Sequence, residues 1–423
     1  MTRHGNVACL NRTIVAILAL AVTISPRLEA QESRLTLDQC LLIAQGGNPL
    51  VEASRQQYQA ALARVNQARA LSQPTLNIDS DLQPKLLDFR GSGETYLGIG
   101  KSVLFPGKRK INTSIALKES DQVLMEAEMV QIDLAYRVKQ AFFNVLLSQE
   151  KYRYAQKNLE LAEDFLEKTR IKFEAGDASR VEVIRAQVEV AKVTGEMHTL
   201  ANTVAQNKAD LNFFMGRDAQ TPVEIENGLL HTHDLPDLET LVNQAISTRP
   251  EITWTRYAME REVLVKRKAG LSYLPDFDLG VARHTITGEP KTWDVTVGLP
   301  IPLFFSQTIK GEMAEATANL RSLESELANL ENSIRLEVEG DYRNAVVARD
   351  LMTLFDQEMM SQAEEVYEML LYSYQEGEIN GIELIEARKT LIETRISYLD
   401  AIYNYDTSII SIEKSVGYAF ERK

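Results

Sequence analysis

The chain has 423 residues, 44% of them hydrophobic and 25% charged, with a formal net charge of −14. This is globular composition with enough length for two or three ordinary domains. The acidic balance excludes a nucleic-acid partner, because binding phosphate needs a basic face.

The first segment reads as a targeting signal over 1–30. Arg3 and Arg12 precede an apolar run from Ile14 to Ile24, which has the length of a secretory h-region and is short for a membrane span. Cleavage is expected just before Gln31; an uncleaved anchor is the alternative. Cys9 falls inside this segment, so Cys40 is left alone and no disulfide framework is expected. No cysteine directly follows the h-region, so no N-terminal lipid is expected. No later segment approaches ~20 apolar residues, the length of a transmembrane helix.

Next comes a first repeat, 31–216. "LTLDQCLLIAQGGNP" is a short helical pattern broken at Pro49, followed by a longer helix at 50–72. Strands are expected at about 75–105. Leu76, Ile78 and Leu82 alternate with Asn77, Asp79 and Asp81, and Leu97, Ile99 and Val103 share one side. A long helical hairpin follows over 111–215. No proline interrupts the chain between Pro106 and Pro222, and 111–175 as one helix would be near 100 Å long. A polar, turn-rich linker, 217–235, leads to a second repeat at 236–417, and 418–423 forms a tail. The second repeat has strands at about 276–303 and a hairpin at 305–416. Phe277, Leu279 and Val281 alternate with Asp278, Gly280 and Ala282, and Trp293, Val295, Val297, Leu299 and Ile301 share a side. Leu320, Leu323, Leu327, Leu330 and Ile334 make a heptad seam.

The two halves are one unit written twice. Pro49 and Pro250, Pro74 and Pro275, Gly176 and Gly377, Ala186 and Ala387, and Gly216 and Gly417 all stand 201 residues apart. "FEAGDASRVEVIRAQ" and "YQEGEINGIELIEAR" occupy matching places. In each, Gly176 or Gly377 ends a long helix, where glycine tolerates the left-handed C-terminal conformation. The chain then reverses, so both turns are hairpin tips at the end far from the strands.

Four strands with one apolar face cannot close a barrel, and an open sheet in lipid leaves backbone groups unpaired. Three copies would supply twelve strands, an acceptable barrel. Apolar positions would then face lipid, and Asn77, Asp79, Asp81 and Asp278 a wet lumen. Tyr96 and Trp293 would join one aromatic girdle, with Phe105, Phe304 and Phe305 in the other. Lys108, Arg109 and Lys110 read as interface anchors whose long stems snorkel to headgroups. The competing reading is a soluble β-sandwich flap on a periplasmic coiled-coil scaffold or adaptor.

The duplicated plan, the two glycine tips and "SVLFPGKRK" at Ser102–Lys110 resemble the TolC-type outer-membrane efflux protein family, across essentially all of 35–417. The Pro-Gly-Lys-Arg piece is similar to its heavy-metal, cobalt-zinc-cadmium branch. The resemblance implies a mainly α fold with a small β part. It implies a homotrimer with a 12-stranded barrel in outer-membrane lipid and an α-helical periplasmic tunnel. It also implies a periplasmic adaptor (a membrane fusion protein) and an inner-membrane pump of the resistance-nodulation-division type. The implied function is a passive efflux duct for metal cations or small toxic compounds, with no cofactor.

At the tip, the resemblance assigns Tyr374, Glu383 and Glu386 to the channel constriction. The arginine the family places two residues after the glycine is Ile379 here, so that lock is absent or differently built. The two acids would put six carboxylates into a trimer's bore and attract cations; solvated acids on an amphipathic helix are the alternative. Gly176, Asp177, Ser179, Val181, Gly377, Glu378, Ile382 and Ile385 sit where the family's adaptor contacts lie. No hydrolase, Walker or paired-cysteine motif is present, so no enzyme is expected. His231 and His233, in the linker, are the one weak candidate for a metal.

Overall fold

The computed structural model describes residues 34–81, 93–226, 235–300 and 305–417. The expected leader, the tail, His231, His233, Phe304 and the side chain of Phe305 lie outside the described residues.

Helix α1, Leu37–Gly47, opens on a reciprocal cap in which Thr36 and Gln39 satisfy each other's backbone N–H. The extended Asn48 ends it and starts α2, Pro49–Arg69, by accepting from the Leu50 N–H at 2.8 Å. Proline at the first helical position costs no hydrogen bond there. Strands β1, Thr75–Asp81, and β2, Glu94–Val103, lead into α3, Lys108–Ala175, a single helix of 68 residues, about 100 Å. Helix α4, Arg180–Phe214, returns along it.

The second half repeats this order. It runs α5, Leu238–Thr248; α6, Pro250–Leu271; β3, Phe277–Ile286; β4, Thr292–Gly298; and α7, Phe305–Leu354. A π-helical turn at Phe355–Met359 joins α7 to α8, Met360–Glu376, and α9, Gly381–Val416, returns. Among the described residues no helix is long and apolar enough to cross a membrane.

Two cores hold the middle of the hairpins. The first packs Cys40 of α1 against Leu134, Val138 and Phe142 of α3 and Leu211 of α4. The second packs Leu241 and Ile252 against Ile334, Val338, Ile412 and Val416. Burial pushes the Cys40 thiol up to about 11, so it behaves as a small apolar group. The inter-repeat segment is more than a polar tether. Val223 and Ile225 are buried in the first core, and Leu35 donates its N–H to the Glu224 carbonyl at 2.8 Å and accepts from the Glu226 N–H at 3.0 Å.

One turn shows why its glycine is required. Gly216 has φ +74°, and a Cβ there would meet the Gly47 carbonyl oxygen at 2.5 Å and the Asn48 Cα at 2.8 Å. The end of α4 is docked on the α1–α2 corner, where Asn48 Nδ2 donates to the Phe214 carbonyl at 2.8 Å. Gly216→Ala is expected to cost about 2 kcal/mol. Gly195→Ala, in mid-helix with nothing within 4 Å, is expected to gain about 1 kcal/mol. Thermal midpoints of the two variants should move in opposite directions.

The four strands form one antiparallel sheet in the order β1-β2-β3-β4, so the strand pair of one repeat lies directly beside that of the other. Leu76, Ile99, Val281 and Val295 stand in one cross-strand row, and Ile78, Leu97, Arg283 and Trp293 in the next. All these apolar side chains are at least half exposed or close to it, from Val281 at 49% to Val295 at 74%. The opposite face carries Asn77, Gly98, Ala282 and Asp294 in register. Among the described residues, the two edges, β1 and β4, have no neighbour within the chain.

Candidate functional site

The hairpin tips are built by the same local device twice. Gly176 and Gly377 have φ +88° and +83° and accept the left-handed turn. Behind each, Asp177 or Glu378 donates its N–H to the carbonyl of Lys172 or Ser373, at 2.8 and 2.9 Å. The returning helix is then capped by a side chain. Ser179 accepts from the Glu182 N–H, and Asn380 accepts from the Ile382 and Glu383 N–H groups. Gly176, Asp177, Gly377 and Glu378 are all exposed at the two turns. Val181 and Ile382 are exposed beside them, at 57% and 45%. Ile385 differs: it is partly buried against the cluster of Phe165, Ala186, Tyr374 and Leu384.

Tyr374 belongs to that cluster and is only 3% exposed. Its ring packs on Phe165 at 5.4 Å, and its hydroxyl lies 3.1 Å from Thr169 Oγ1 on α3. Lys172 stands 4.3 Å over the ring and donates to the Tyr374 carbonyl. The side chain therefore ties α8 to α3 inside one chain. Ile379, in place of the expected arginine, packs on the same apolar cluster.

A strong polar tie lies one layer further from the tip. Arg388 on α9 is 3% exposed. It donates to both oxygens of Asn158 on α3 and, at 2.6 Å, to Glu189 on α4. One guanidinium thus grips both arms of the first hairpin from the second. The first repeat has Gln187 at the matching place. That difference between copies is the signal that would have singled out Arg388, which sequence reasoning passed over.

Glu383 and Glu386 lie on the other stripe of α9, both exposed. With Met359, Val366, Leu370 and Thr390 they line a groove of about 500 Å³ between α8 and α9. The two acids share one surface, as their spacing implies, and that surface also carries apolar walls.

At the sheet, Trp293 is 70% exposed on the apolar face. Tyr96 is not beside it, and the expectation of a shared girdle is corrected. Tyr96 pairs in register with Asp79 and His284, on the polar face. Its hydroxyl donates to Glu94 at 2.7 Å, and its ring stacks on His284 at 4.1 Å. Phe105 stacks on Phe277 at the helix-proximal end. Lys108 is no free anchor: its ammonium pairs with Asp276 at 2.9 Å, and the lysine side chain is 14% exposed. Arg109 is exposed. Among the described residues no group of three or more His, Cys, Asp or Glu side chains is arranged to hold a metal ion.

A family model described as "Outer membrane efflux protein" matches the chain twice, over residues 42–217 and 241–418. Among curated relatives, the cobalt-zinc-cadmium resistance protein CzcC of Cupriavidus metallidurans is 24% identical over 390 residues, covering 90% of each chain. Among solved structures, the CusC channel superposes with TM-score 0.77 at 17% identity, over 90% of this chain and 92% of that one. The open-state MtrE outer membrane channel of Neisseria gonorrhoeae gives TM-score 0.76 at 15% identity, over 91% and 90%.

Proposed function

The chain belongs to the outer membrane efflux protein family, and from that membership we propose that it is the exit duct of a tripartite efflux system. It acts as a homotrimer. A periplasmic adaptor docks on the hairpin tips, and an inner-membrane pump of the resistance-nodulation-division type supplies the energy. The duct itself does no chemistry. Its cargo is metal cations or small toxic compounds, with the metal reading favoured by the likeness to a cobalt-zinc-cadmium resistance protein.

The observation that carries this reading is the sheet. Its exposed apolar face, its polar opposite face and its two unpaired edges are satisfied together only when chains share one cylinder in lipid. Each edge would pair with the complementary edge of the next chain. Detergent-purified protein is expected to run as a trimer and to form cation-preferring channels in planar bilayers; a monomer without conductance would overturn the proposal.

The tip is the barrier in this scheme, and Glu383 and Glu386 are its charge filter. Threefold repetition brings the six carboxylates near one axis, where they raise the local cation concentration. Replacing both by glutamine is expected to reduce cation-over-anion permeability severalfold and to relieve block by multivalent cations. Unchanged selectivity would mean that the groove between α8 and α9 faces a neighbouring helix instead.

A further inference from the structure

At the helix-proximal end of the sheet, on its apolar side, the surface changes character. A cavity of about 850 Å³ opens between the end of α2, the end of β2 and the start of α3. Arg69, Lys101, Arg109 and Lys110 line it and, among the described residues, no acidic side chain does. The fifth base nearby, Lys108, is already bound to Asp276. The first turn of α3 carries no acid either.

The rest of the wall is apolar. Leu71 and Leu104 are 65% and 41% exposed there, and Val103 is 36% exposed. Lys101 and Val103 continue the face of Leu97 and Ile99, so the cavity lies on the side that meets lipid and at its periplasmic border. Four cations around one hollow repel each other until an anion enters. A free anion would use the charges but leave the leucines wet. A phosphate that carries a glycerol and acyl chains uses both.

We propose that this cavity holds the headgroup of an anionic phospholipid from the periplasmic leaflet, one per protomer. The inference rests on the sheet being part of a lipid-embedded barrel. It assigns the Pro-Gly-Lys-Arg run a role that the barrel alone does not require. At the same 201-residue offset the second repeat carries Gln307, Thr308, Ile309 and Lys310 in the corresponding stretch, and Gly270, Pro302 and Gly311 stand where Arg69, Lys101 and Lys110 do, so it keeps one of the four bases. Two of the four cations come from α2 and β2, so the site exists only when the strands and helices of the first repeat are assembled.

The test is native mass spectrometry of the full-length protein in detergent, with added phosphatidylglycerol or phosphatidylcholine of matched chains. The expected result is a trimer that keeps one phosphatidylglycerol per protomer after the micelle is stripped and releases phosphatidylcholine. Each basic residue near an anionic surface is worth about fivefold in affinity. The double variant Arg109→Gln/Lys110→Gln should therefore lose roughly twentyfold in retention. Arg109→Lys/Lys110→Arg should keep the lipid. Lys291→Gln, in the turn at the far end of the sheet, should behave as wild type. Equal retention of the two lipids, retention unchanged in the double glutamine variant, or displacement by millimolar inorganic phosphate would each overturn the proposal. A trimer without lipid preference removes this inference alone; absence of a trimer removes the barrel reading as well.

Discussion

Replacing Arg388 by alanine is expected to leave the duct leaky. The tip is held within each chain by three polar contacts of different strength. The hydroxyl contact between Tyr374 and Thr169 is worth about 1 kcal/mol net. The Lys172 ammonium over the Tyr374 ring adds about 1 kcal/mol. Removing one partner of a buried ion pair costs more, about 3 kcal/mol, because the other groups are left desolvated and unpaired. Arg388 is nearly fully buried and grips Asn158 and Glu189 at once, while Glu189 keeps some water contact. The figure therefore sits at the lower end of the range for buried pairs.

Because Arg388 bridges α9 to both α3 and α4, that energy opposes any motion that parts the two hairpins. Losing it shifts the closed-to-open ratio of a protomer by roughly a hundredfold. Single-channel recordings should show higher conductance for Arg388→Ala at a thermal midpoint that marks a folded trimer. Arg388→Lys should fall between, since an ammonium keeps the charge but cannot span the two acceptors as a fork. Wild-type conductance from a folded Arg388→Ala trimer would remove Arg388 from the gate.

The second large effect concerns the lipid face. Val281 stands in the middle row of the apolar surface, with Ile99 on one side and Val295 on the other. An arginine at the bilayer midplane of a barrel costs about 2–4 kcal/mol, and a trimer carries it three times. Val281→Arg is expected to disappear from the outer-membrane fraction. Thr296→Arg, one position along and on the polar face beside Gly280, should assemble, because its side chain enters water. Equal yields of the two variants in the membrane would mean that the faces are assigned the wrong way round.

Much of this was legible in the residues. Constant spacing between paired prolines and glycines revealed the duplication. The glycine tips followed from helix-ending chemistry, and strand faces from alternation. Even the position of Tyr96 was readable. It shares parity with Gly98 and Gly100 and opposes Leu97 and Ile99, so it belongs with the polar set; its aromatic character masked this. Arg388 was not readable from its own helix. The period of 3.6 residues tells which side chains share a stripe, but which stripe meets Asn158 and Glu189 depends on how two hairpins rotate about each other. Lys108 was hidden for a similar reason, since its partner Asp276 is separated from it by 168 residues. The inter-repeat segment looked polar because Val223 and Ile225 are spaced among acids, and only tertiary contact shows them buried.

The adjacency of β2 and β3 has a consequence for assembly. These strands come from different repeats, yet they meet as neighbours inside one polypeptide. In the proposed ring, β4 of one chain meets β1 of the next as β2 meets β3. Every second junction between hairpins is thus closed during folding of a single molecule and needs no encounter between molecules. An unduplicated ancestor would have had to bring six partners together, whereas this chain needs three. The fused ring loses the translational freedom of fewer bodies, and its two junction types are free to diverge in sequence.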